Sequence, residues 1–89
     1  VNLSAPLGLT EDLETSTIYI ASTYANSIVA YPSGAIVAGG NGQGNATNQL
    51  NGPEGIVYDA VSKSLLITNR QGHTVVRWTL GASSGTLVT

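Results

Sequence analysis

An all-β protein of two similar four-stranded antiparallel sheets is what this 89-residue sequence predicts. The chain is two copies of one unit, and each copy divides into four short β-branched runs. Its composition favours strands and turns over helix, with eleven Gly, no Phe, one Trp and 9% charged residues. No window long enough for a helix carries a 3.6-residue apolar stripe free of breakers.

Shifting the sequence by 47 places lays Leu3 to Tyr31 over Leu50 to Trp78 without a gap. Identities then fall at Leu3/Leu50, Pro6/Pro53, Gly8/Gly55, Asp12/Asp59, Ile20/Ile67 and Val29/Val76. Leu9/Ile56, Ile18/Leu65, Ser27/Thr74, Ile28/Val75 and Tyr31/Trp78 are conservative pairs. After four extra residues in the second copy the match resumes, with Ser33 to Ala38 over Ser84 to Thr89. Residues 1–38 and 50–89 are the two units, and 39–49 is a Gly/Asn-rich connection between them.

Each unit is read as four strands. The first follows the proline, at Gly8-Leu9-Thr10 and at Gly55-Ile56-Val57-Tyr58. Asp12 and Asp59 then open polar turns, where a short carboxylate accepts backbone N–H bonds. The second strand is Thr17 to Ala21 and Ser64 to Thr68; the third is Ser27 to Tyr31 and Thr74 to Trp78. The fourth is Ala35 to Ala38 and Thr86 to Thr89. All are bounded by Gly, Pro, Asn or Ser, as short strands are.

Four short strands repeating every 40 to 50 residues mark a β-propeller blade. The pattern P-x-G-[LI], then Asp, an apolar triplet, a turn and [IV]-V-x-[YW] resembles the NHL repeat. Pro53 to Asp59 carries it most strongly and Gly72 to Trp78 next, and the resemblance covers both copies. The sequence departs from NHL repeats after the second strand, where Ser22 and Asn69 replace a common acid. It departs again entering the third strand, where Ser27 and Thr74 replace a common Arg. A WD-type blade would need Trp-Asp, but Thr79 follows Trp78; a kelch blade would need a second counterpart of Gly39-Gly40.

A blade sheet apolar on both faces needs a neighbour on each side, and propellers use roughly four to eight blades. Two blades leave two faces open to water, each several hundred Å² of apolar surface by order of magnitude, above what monomers usually expose. The sequence therefore predicts self-association into an even-bladed ring, of two chains for four blades, three for six or four for eight. Resemblance to NHL propellers, most often six-bladed, implies a homotrimer closed head to tail. The absence of Met, the opening at Val1 and ends that coincide with blade boundaries equally suit an excised or engineered piece of a larger propeller.

The expected role is a non-catalytic scaffold or interaction surface with no cofactor. The loops Ser22 to Asn26 and Asn69 to His73 match by position, so they share one end of the molecule. Tyr24, Asn26, Arg70, Gln71 and His73 are the candidate contacts there for a protein or small-molecule ligand. His73 is the only histidine, and one His with no ligating neighbours in sequence is no metal site. Asp12 and Asp59 read as turn residues, Glu11 and Glu14 as solvated acids, and Tyr31 and Trp78 as packing between blades. Gly39 to Asn45 lacks the Lys-Ser/Thr of a phosphate loop and the Asp of a calcium nonapeptide; it reads as a flexible connection with glycines at positive φ.

Other function classes find less support. Net charge is −2, with Lys63, Arg70 and Arg77 the only bases, which argues against nucleic acid. No apolar run approaches the ~18 residues that cross a bilayer. There is no Cys, hence no thiol nucleophile or thiolate zinc site, and no Gly-x-Ser-x-Gly elbow. NHL propellers also include peptide-amidating lyases with metal-binding histidines near the channel; a segment of such a secreted enzyme is the alternative, although His73 alone cannot build that site. Asn2-Leu3-Ser4 and Asn45-Ala46-Thr47 are glycosylation acceptors as written, which suits an exported source.

Overall fold

A computed structural model describes Leu3 and residues 6–89, apart from the Leu7 side chain. Among the described residues, eight strands form two antiparallel four-stranded sheets in meander order. The first sheet holds β1 (Pro6–Asp12), β2 (Thr17–Ser22), β3 (Ser27–Tyr31) and β4 (Ile36–Gly39). The second holds β5 (Pro53–Asp59), β6 (Ser64–Asn69), β7 (Thr74–Thr79) and β8 (Thr86–Leu87). Neither sheet closes on itself. Asn2 and Ser4 of the first acceptor triplet, and Val1, lie outside the described residues.

The repeat is written into the backbone as well as the side chains. Both first strands carry a bulge between Pro and Gly, Pro6/Gly8 and Pro53/Gly55. Ser16 and Lys63 take positive φ (57° and 51°) at equivalent turns, and Asn26 and His73 both sit at 53°. Asn tolerates this region better than most side chains, so the Asn26/His73 position is set by the turn. One short helical turn, the 3-10 segment Thr23–Ala25, precedes Asn26.

Most strand ends differ from the sequence reading by a residue or two, and the first and last strands differ most. The first strands extend through the Asp at each end, because Asp12 pairs with Thr17 and Asp59 with Ser64. The last strand is shorter than expected. Its ladder stops at Leu87, and both Val88 and Thr89 then donate to the single carbonyl of Val75 while Thr89 accepts the Val75 N–H.

Strand alternation gives each sheet two faces. In the first sheet, Tyr19, Ala21, Ile28, Ala30 and Ala38 share one face. In the second, Ile56, Leu65, Ile67 and Trp78 share one. These two faces meet, and with Leu50 they make the single core. Full burial of side chains such as Ile28, Leu65 and Ile67 stabilises by about 1.5–3 kcal/mol each, so the contact between sheets is central to the fold.

β1 and β5 lie closest together. A side chain at Gly8 would strike the backbone carbonyl of Glu54, so only glycine permits the approach. Tyr58 N–H donates to Thr10 Oγ1 at 3.2 Å, and the rings of Tyr19 and Tyr58 stack with centroids 5.7 Å apart.

The connection 39–49, read as a flexible linker, carries hydrogen bonds of its own. Gly39, Gly40 and Gly42 do adopt positive φ, but side-chain amides knit the loop together. Asn41 Nδ2 donates to the Asn48 carbonyl (2.7 Å), Gln49 Nε2 to the Asn41 carbonyl (3.0 Å) and Gln43 Nε2 to Asn51 Oδ1 (2.8 Å). Thr47 then accepts the Gly85 N–H at 2.7 Å, tying the loop to the second sheet.

Candidate functional site

The turns Ser22 to Asn26 and Asn69 to His73 join second to third strands in the two sheets, and they do lie together. Tyr24, Asn26 and Gln71, with Thr23 and Gln43, line a shallow cleft of about 190 Å³. Tyr24 and Gln71 are exposed there. Asn26 is already engaged, its Oδ1 accepting the Gly52 N–H at 2.9 Å. Beside it, Thr23 Oγ1 donates to the Pro53 carbonyl at 2.7 Å. These bonds clasp one sheet to the other, so at Asn26 the sequence signal marks a structural residue as much as a contact residue.

The other two candidates stand outside the cleft lining. Arg70 Nη1 lies 3.6 Å from Glu54 Oε2; the arginine is exposed, whereas Glu54 is half-buried and that oxygen is itself buried without a hydrogen bond among the described residues. His73 is exposed in its turn. Among the described residues, no three His, Cys, Asp or Glu side chains come together.

The turn acids behave as the sequence suggests. Asp12 Oδ1 accepts the Glu14 N–H at 3.0 Å and Asp59 Oδ1 the Val61 N–H at 3.1 Å. At Asp12, partial desolvation pushes the pKa up, but hydrogen bonds from the Glu14 backbone and from Thr15 and Tyr58 together bring it below the usual value. At Asp59, the Ser62 hydroxyl and the Arg77 guanidinium lower it. Burial, reinforced by the Asp12 charge, raises the phenol pKa of Tyr19 and of Tyr58.

A larger cavity, about 300 Å³, went unread in the sequence. Val76, Trp78 and Leu87 form its floor, and Asn45, Gln49, Asn69 and Thr74 stand among its lining. Much of that polar capacity is used within the chain. Asn69 Oδ1 accepts the Asn51 N–H, Asn69 Nδ2 donates to Thr74 Oγ1, and Asn45 Oδ1 accepts from Asn51 Nδ2. The cavity arises where the amide-rich loop arches over the second sheet, a long-range contact that no local motif announces.

The remaining surface of note is the pair of outer sheet faces. On the first sheet, Leu9, Tyr31 and Ile36 lie exposed beside half-buried Ile18 and Ile20. On the second, exposed Val57 and Thr68 accompany half-buried Leu66, Val75 and Arg77. Trp78 is 2% exposed, whereas its repeat equivalent Tyr31 is 49% exposed. The expected packing between sheets therefore holds for Trp78, while Tyr31 belongs to an open face. No family model matches this sequence, and no curated protein matches it.

Proposed function

We propose that this chain is a self-assembling two-blade module of NHL-type β-propeller, three copies of which close a six-bladed ring. The ring serves as scaffold or interaction surface, with the Tyr24–Gln71 cleft on its loop end available to a protein or small-molecule partner.

One observation carries this reading. By repeat position, the open face of the first sheet (Leu9, Ile18, Ile20, Tyr31) is equivalent to the face of the second sheet that is buried in the core (Ile56, Leu65, Ile67, Trp78). The open face of the second sheet (Val57, Leu66, Thr68, Val75) is likewise equivalent to the buried face of the first (Thr10, Tyr19, Ala21, Ile28). The junction inside the chain is thus heterologous, and each chain carries one free half of each kind. Such junctions propagate head to tail until rotation closes a ring.

Native mass spectrometry across a concentration series tests the proposal. Three chains of 9.1 kDa in one particle is the expected result; a folded single chain at every concentration would overturn it.

A further inference from the structure

The internal junction also supplies a template for the contacts between chains, and this inference rests on the self-assembly reading above. Any contact between residue x of the first blade and residue y of the second maps, by the 47-residue repeat, onto residue x+47 of one chain and y−47 of the next.

Applied to the junction's centre, the rule changes the chemistry. Inside the chain, Tyr58 stacks on Tyr19 and donates its backbone N–H to Thr10, and its phenol and the Asp12 carboxylate shift one another's titration. Ala30 pairs with Tyr19 across the strands. The mapped positions between chains are Glu11 for Tyr58, Leu66 for Tyr19, Asp59 for Asp12 and Arg77 for Ala30. A Glu placed like Tyr58 would face Asp59, and two carboxylates would repel. The one replacement that supplies positive charge, Arg77, contacts Asp59 and pairs in register with Leu66, the residue that stands for Tyr19.

Arg77 is oriented for this role. Its contacts to Asp59 (3.1 Å), Ser62 (3.0 Å) and Ser64 (2.6 Å) all run through Nη1. Among the described residues, Nε and Nη2 make no other hydrogen bond, and the side chain remains about a third exposed, at 38%. Glu11 is exposed on the opposite outer face.

We propose that Arg77 of one chain lies between its own Asp59 and Glu11 of the next, an intermolecular acid–base–acid cluster that selects the head-to-tail junction. The cluster also disfavours the symmetric alternatives. Two first-blade faces brought together would enclose two Glu11 carboxylates with no Arg77, and two second-blade faces two Arg77 guanidiniums with no Glu11. Like charges in a desolvated contact penalise the wrong partner.

The test compares wild type, Glu11→Lys and the control Glu14→Lys, which makes the same charge change in the neighbouring turn. Each full-length chain is weighed by native mass spectrometry over a dilution series, with circular dichroism to verify folding. Glu11→Lys should dissociate at concentrations about tenfold or more above wild type, the scale of one lost charge pair. Glu14→Lys should match wild type. Assembly of wild type and Glu11→Lys at the same concentrations would overturn the ion cluster while leaving self-assembly intact. A wild type that never assembles would instead remove the self-assembly reading, and the cluster with it.

Discussion

Asp12 and Asp59 repeat at one blade position and close the same turn, yet different neighbours surround them. Asp59 answers to Ser62 and Arg77, Asp12 to the Glu14 N–H, Thr15 and Tyr58. Both folded pKa values lie below the ordinary 3.8, so protonation favours the unfolded chain. The stability these groups contribute is complete above pH 3.8 and is lost as pH falls through the folded values. Thermal unfolding followed by circular dichroism should show a melting temperature that drops in that acid range. Asp59→Asn keeps an acceptor for the Val61 N–H but cannot titrate, and should flatten part of the drop. An acid limb of unchanged steepness in that variant would show that Asp59 does not carry it. Asp59's turn role was readable from the repeat; its partner Arg77 was not, because the two lie on different strands and no local pattern joins them.

Among elements, the closest approach is β1 on β5, and it depends on a missing side chain. Gly8→Ala would drive a methyl group into the Glu54 carbonyl, and backbone cannot swing aside as a long side chain can. Loss of about 1–3 kcal/mol is expected, the usual scale of forced overpacking. A lowered urea midpoint at fixed protein concentration checks it; an unchanged midpoint would contradict the tight approach. Strand positions were largely legible, since β-branched runs between Gly, Pro and Asn act locally. The β1 and β5 ends were not, because pairing through Asp12 and Asp59 depends on the partner strand. Nor were the hydrogen bonds of residues 39–49. Glycine content predicted positive φ, which Gly39, Gly40 and Gly42 adopt and Gly44 does not, but the amide bonds from Asn41, Gln43 and Gln49 reach seven or eight residues along the chain, beyond any turn rule.

For the molecule as a whole, the sequence revealed the unit and its duplication, and the structure adds how the duplicates meet. Periodicity alone says that both faces of each sheet are apolar enough to want cover. Only the packed arrangement tells which face of one sheet seats on which face of the other, and so which halves are left over. The candidate cleft followed the same division: loop equivalence put Tyr24, Asn26 and Gln71 at one end, whereas the Asn26–Gly52 clasp and the departure of Arg70 and His73 from the cleft lining needed coordinates. The central claim is that copies join through unlike faces. Because the chain contains no Cys, two single-thiol variants, Leu9→Cys and Val57→Cys, mark one outer face each, at exposed positions. Mixed in equal amounts and treated with a short bis-maleimide, they should yield covalent pairs that unite the two different variants. Cross-links confined to identical variants, or no cross-links above those of the denatured mixture, would contradict the account.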